Sequence, residues 1–126
     1  MGQGFLVDTN TVIDYIGEKL PENSLEFIDD LEINLSVVSR IELLVWRNVS
    51  DRQLQVIQDF IDASTVFGLD EEVILESIKI RKNYRLKLPD AIVAATAIVK
   101  KSTLLTRNIK DFERVANLNC IDPYHL

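Results

Sequence analysis

Asp8, Glu42, Asp90 and Asp111 are the acidic residues whose placement could do chemistry together, each falling at or near the rim that a parallel sheet forms at the carboxyl ends of its strands. Asp8 directly follows Phe5-Leu6-Val7, and Glu42 lies one turn into the helix after the second strand. Asp90 opens an apolar helix, and Asp111 follows Leu104–Arg107 after a short turn. Singly, each has a plain structural use. Asp8 suits a helix cap or a turn, and Ser39-Arg40-Ile41-Glu42 has capping-box spacing. Asp90 and Asp111 complement helix N-termini. Their conjunction points further. In Leu88-Pro89-Asp90-Ala91-Ile92 a carboxylate adjoins an almost wholly apolar helix, where an uncompensated charge is expensive. Carboxylates gathered at one rim repel each other unless a divalent cation sits among them. Hard oxygen donors without His or Cys select Mg²⁺ or Mn²⁺. Such a cluster activates water and clamps a phosphodiester for in-line displacement, with one or two ions.

The elements that must position these acids alternate strand and helix. Gln3–Val7 reads as a short strand, followed by a helix through Gly17 that Thr9 or Asn10 can cap. A second helix fits Pro21–Leu31, and Ile33–Val38 reads as a buried strand. Ser39 then caps a helix through Arg47. Asp51–Ala63 has helical spacing, Thr65–Leu69 is a brief β-branched strand, and Asp70-Glu71-Glu72 opens a helix to Tyr84. Pro89 is a first-turn proline for Asp90–Lys101, which is apolar nearly all round and therefore central. Thr103–Thr106, Ile109–Val115 and Asn119–Ile121 complete the chain as strand, helix and strand. The pattern predicts an α/β fold: a three-layer α/β/α sandwich on a mostly parallel sheet of four to five strands. In such a sheet a functional site lies outside the carboxyl ends of the strands.

Length and composition bound the alternatives. The 126 residues fit one domain, 1–126, and 47% apolar content supplies a packed core. A single Cys (Cys120) and a single His (His125) exclude a disulfide framework, a Cys/His zinc site and a Cys–His catalytic pair. Cys120 reads as a small buried hydrophobe and His125 as an exposed residue, and Trp46 suits core packing, with an interface contact as the rival. Met1-Gly2-Gln3-Gly4 shows no signal-peptide pattern, and Ala91–Val99 is too short to span a bilayer. The expectation is a soluble cytoplasmic protein.

The formal charge of −6 conceals an asymmetry. Lys79–Arg114 holds ten basic residues against three acidic ones. Arg81, Lys82, Arg85 and Lys87 lead toward Asp90, while Arg107 and Lys110 bracket the last acidic motif. Arg85, Lys87, Arg107 and Lys110 are therefore candidates to meet phosphates, although a basic run is also an ordinary solvated face.

These residues also carry a resemblance. Phe5-Leu6-Val7-Asp8-Thr9-Asn10, Ser36-Val37-Val38-Ser39-Arg40-Ile41-Glu42-Leu43-Leu44, Leu88-Pro89-Asp90-Ala91-Ile92-Val93-Ala94-Ala95-Thr96-Ala97 and Leu105-Thr106-Arg107-Asn108-Ile109-Lys110-Asp111-Phe112 occur in that order across nearly the whole chain. Together they resemble a PIN-domain ribonuclease of the VapC toxin type. The resemblance implies that Asp8, Glu42, Asp90 and Asp111 are metal-site acids, with Asp8 and Asp90 the most direct ligands. It implies that Thr9, Thr106 and Asn108 orient the acids and the attacking water. It further implies Mg²⁺- or Mn²⁺-dependent RNA cleavage leaving a 5′-phosphate and a 3′-hydroxyl, a homodimer, and inhibition by a VapB-type antitoxin. Ser39 stands where many relatives have Thr, and Trp46 where Gly is common.

Three rivals use similar materials. A phosphoacceptor receiver domain needs an acidic pair after its first strand, but Asp8 stands alone between Val7 and Thr9. A haloacid-dehalogenase-type phosphatase needs Asp-x-Asp, and Asp8-Thr9-Asn10 supplies Asn. A non-catalytic binding module of the same fold would be free to lose the acids, and all four are present.

Overall fold

A computed structural model describes residues 4–126, so Gln3 and the residues before it lie outside the described part of the chain. Five strands form one sheet: β1 (Phe5–Val7), β2 (Ile33–Ser36), β3 (Thr65–Phe67), β4 (Thr103–Leu105) and β5 (Cys120–Ile121). Their order is β3-β2-β1-β4-β5, and every neighbouring pair is parallel. Seven helices connect them: α1 (Thr9–Ile16), α2 (Glu22–Asp29), α3 (Val37–Leu44), α4 (Asp51–Asp62), α5 (Glu71–Asn83), α6 (Leu88–Val99) and α7 (Ile109–Phe112).

Strand alternation separates two cores. Leu6 and Leu104 face Val73 and Ile80 of α5, the alanines of α6 and Phe112 of α7. Their neighbours Val7 and Leu105 face the other way, with Leu35, onto Val12, Ile28, Leu43, Ile57 and Ile61 of α1 to α4. This is the period-two rule acting on Leu6-Val7 and Leu104-Leu105. It produces the expected three layers. In α6, Ala91, Ala94, Ala95 and Ala97 are fully buried. Replacing a buried leucine such as Leu6 by Ala would cost about 2–5 kcal/mol.

The order places β1 at a switch point: the chain moves from β1 toward β2 and β3, and later crosses back to β4 and β5 on the opposite side. The crevice at the carboxyl ends of β1 and β4 is where an open parallel sheet accommodates ligands. The helices that follow strands start at this edge. Because α6 runs back toward the start of β4, its N-terminus lies there too.

Several boundaries differ from the sequence reading. The second strand ends at Ser36, two residues early, because the Ser36 hydroxyl accepts from Val38 N at 3.1 Å and caps α3. Ser39 is therefore not the cap; it is buried within α3. Neither Thr9 nor Asn10 caps α1; Asp8 does, accepting from Thr9 N. Trp46 is not core packing. Helix α3 stops at Leu44, with Val45 its C-cap, so Trp46 lies in the irregular connection that follows and is 42% exposed. Cys120 is half-buried rather than buried, and burial with the nearby Glu113 charge pushes its thiol up to about 11. No helix among the described residues is long and apolar enough to cross a membrane.

Candidate active site

Asp8 is built into the sheet edge before it does anything else. Its amide continues the ladder by donating to Leu105 O at 3.0 Å, and its carbonyl accepts from Val12 N at 3.0 Å. The side chain caps α1, Oδ1 accepting from Thr9 N at 2.9 Å. Oδ2 accepts from the Thr106 hydroxyl at 2.9 Å. Thr106 follows β4 directly, so this bond closes the crevice between the two central strands. The Thr106 Oγ1 in turn accepts from Asn108 N at 3.0 Å. Asn108 acts through its backbone; its side chain makes no cap on α7.

Glu42 is held by the other threonine. Thr9 Oγ1 donates to Glu42 Oε1 at 2.6 Å and lies 3.0 Å from Ser39 Oγ. One hydroxyl proton cannot serve both, and the carboxylate takes it. Ser39 lies three residues before Glu42 on α3, so the two meet Thr9 from adjacent positions of one helix face.

Asp90 occupies the first turn of α6, where the helix dipole favours negative charge. Burial pushes its carboxyl up, and the charges of Asp8, Glu42 and Asp111 push it further, against Lys87. All three other acids thus act on Asp90. Asp8 is also pushed up, chiefly by burial and slightly by Glu42, with the Thr106 and Thr9 hydrogen bonds opposing. Asp111 sits exposed in the short helix α7.

No ion pair within 4.0 Å among the described residues involves these four acids. Nor, among those residues, are any three His, Cys, Asp or Glu side chains gathered tightly enough to enclose an ion by themselves. The arrangement is a loose rim of oxygen donors with excess negative charge. That fits a hard divalent ion that keeps several waters, as Mg²⁺ does. The basic candidates Arg85, Lys87, Arg107 and Lys110 are all exposed. Sequence reasoning missed the contacts of Arg107 with Asp14 and Tyr124, which no local pattern announces.

The fold and this edge define a class. A profile of the PIN domain matches residues 5–118, and the chain belongs to that family. It is 32% identical over 117 residues to ribonuclease VapC1 of Methanocaldococcus jannaschii, covering 87% of this chain and 79% of that protein. Among solved structures it is similar to DNA-bound VapBC from Salmonella typhimurium, with a TM-score of 0.83, 26% identity, and 96% and 98% of the two chains covered. A toxin–antitoxin complex from Klebsiella pneumoniae gives a TM-score of 0.78 at 27% identity, again with 96% and 98% coverage.

Proposed function

We propose that this chain is a divalent-metal-dependent endoribonuclease and the toxin of a toxin–antitoxin pair, with residues 1–126 acting as one domain in the cytoplasm. The observation that carries it is the four-acid rim at the β1–β4 switch point. It occurs in a chain whose relative is a ribonuclease and whose structural neighbours include toxin–antitoxin complexes.

Asp8 and Asp90, with Glu42 and Asp111, would hold Mg²⁺ or Mn²⁺. When bound there, the ion supplies the positive charge that lowers the pKa of a water and neutralises charge developing on the phosphate. Thr106 fixes the Asp8 carboxylate, and the Asn108 amide fixes Thr106. Thr9 fixes Glu42. Arg85, Lys87 and Arg107 on connections near this edge, and Lys110 in α7, receive backbone phosphates of single-stranded RNA. Hydrolysis leaves a 5′-phosphate and a 3′-hydroxyl.

Two apolar surfaces support the partners. Ile13, Ile16, Trp46 and Val56 line a groove of about 190 Å³ between α1 and α4. Ile41 and Val45 stand exposed on the adjoining helix end. This surface suits an antitoxin segment. Leu69, Leu75, Ile78 and Leu88 are exposed along α5 and the start of α6, a face suited to a second copy of the chain.

The test is cleavage of pooled cellular RNA by purified protein, with Mg²⁺, with Mn²⁺, with EDTA, and with Asp8→Asn alongside. Ion-dependent fragments that vanish in the variant support the reading. Absence of cleavage from a folded, antitoxin-free sample under either ion overturns it.

A further inference from the structure

Arg107 follows Thr106 directly, so its backbone lies one peptide beyond the hydroxyl that holds Asp8. Its side chain is doubly restrained. The guanidinium carbon lies 5.3 Å from the Tyr124 ring centroid, and Nη1 donates to Asp14 Oδ2 at 3.4 Å. The same Asp14 oxygen accepts the Tyr124 hydroxyl. Residues of α1, of the β4–α7 connection and of the segment after β5 therefore close one triangle. Asp14 is withdrawn from solvent, with 15% of its side chain exposed, while Arg107 remains open at 55%.

A long, exposed ion pair returns little of the rotamer freedom an arginine gives up. The restraint has another consequence. Arg107 leaves the chain one residue after Thr106, yet among the described residues its side chain bonds none of the four acids. Asp14 and Tyr124 withhold it. The acids keep their charge for a cation, and the guanidinium keeps most of its five donors, in a fork that matches two phosphate oxygens.

On the nuclease reading above, we propose that Arg107 anchors an RNA phosphate flanking the cleaved bond, and that Asp14 and Tyr124 are positioning residues that hold its guanidinium between α1 and the segment after β5. Two measurements test it. One is steady-state cleavage of an RNA carrying a mapped cleavage site. The other is fluorescence anisotropy of a labelled mixed-sequence single-stranded RNA, in the Asp8→Asn background, across a salt series.

Arg107→Ala should raise KM about tenfold with kcat within about twofold, and flatten the slope of log affinity against log salt by about 0.7. Arg107→Lys should restore that slope while leaving KM above wild type, because it keeps the charge and loses the fork. Tyr124→Phe keeps the ring and loses the hydroxyl. It should raise KM about threefold at unchanged slope, and Asp14→Asn should match it. The thermal midpoint of Arg107→Lys should stay at the wild-type value, and that of Tyr124→Phe should fall by only a few degrees, the cost of one hydrogen bond.

Wild-type KM and slope in Arg107→Ala, in a protein that cleaves RNA, would overturn the anchor. Wild-type KM in both Tyr124→Phe and Asp14→Asn would overturn the positioning role. An Arg107-dependent slope in a protein that cuts nothing would sink hydrolysis and uphold the phosphate contact.

Discussion

Both carboxylate oxygens of Asp8 are engaged, one by the Thr9 amide and one by the Thr106 hydroxyl, each at 2.9 Å. Asp90, across the same rim, accepts no such bond among the described residues, and its titration is set by burial and by three neighbouring charges. The backbone explains the contrast. Asp8 sits between β1 and α1, where strand ladder and helix cap fix the peptide on both sides. Asp90 sits inside the first turn of α6, with Lys87 as the helix cap and no side-chain capping bond. One carboxylate is a fixed template; the other is free to adjust to what arrives. On the proposed metal-dependent reading, one ion would meet both kinds.

The most severe way to break this pairing is to neutralise either member. Asp8→Asn and Asp90→Asn should each lower RNA cleavage about a thousandfold, since several kcal/mol of charge stabilisation is at stake. Folding should survive, because Asn caps α1 as well as Asp8 does and Asp90 makes no capping bond to lose. Circular dichroism melts in EDTA should show both variants at least as stable as wild type at neutral pH. A melting point well below wild type would make Asp8 a structural cap first.

Next in size is the clamp. Thr106→Val removes the donor to Asp8 and the acceptor for Asn108 N while keeping the shape. Apparent affinity for the activating ion should fall about 10–100-fold, the usual cost of losing a group that orients a ligand. Stability should drop about 1 kcal/mol for the lost hydrogen bonding. Thr106→Ser should restore most of both. Equal loss of ion affinity in Asp111→Asn, which lies exposed on the loose side, would erase the distinction between clamped and free acids.

The ordering of these effects also explains what the sequence could announce. Asp8 and Asp90 were legible because a charge after Phe5-Leu6-Val7 and another beside Ala91-Ile92-Val93 stand against apolar surroundings, and local contrast survives in one dimension. The parallel sheet was legible for the same reason, from short apolar strands spaced by helices. Ser39 was misjudged because Val37-Val38 looks like strand, and only the Ser36 hydroxyl on Val38 N shows where the helix begins. Trp46 was misjudged because burial depends on where α3 stops, and a tryptophan carries no sign of that. The Asp14–Arg107–Tyr124 triangle joins residues 93 and 110 positions apart, a distance at which neither periodicity nor capping rules apply.

Acid should act on the two carboxylates in the same direction. Both folded-state pKa values are raised above the ordinary 3.8. The folded chain therefore binds protons more readily than the unfolded chain at these sites. Without a divalent ion, their contribution is most favourable where they are protonated and is lost as pH rises through the raised values. The melting-point advantage of Asp90→Asn over wild type in EDTA should accordingly be absent near the ordinary carboxylate value and grow toward neutrality. Saturating Mg²⁺ should remove most of it. An advantage that is constant with pH would mean that neither burial nor the neighbouring charges raise the Asp90 pKa.

The smallest expected effect separates Lys87 from the acids it approaches. Its ammonium is the one charge that lowers the Asp90 pKa against three that raise it. Lys87→Ala should move the acid limb of the cleavage profile to higher pH, since Asp90 would then hold its proton longer. At neutral pH the rate should change by less than about threefold, because an exposed charge is heavily screened. In the Asp90→Asn background the same substitution should leave the limb unmoved, with single-turnover rates used to reach that weak activity. Movement there would show that Lys87 acts on another member of the rim, and the division between a fixed Asp8 and an adjustable Asp90 would have to include that residue.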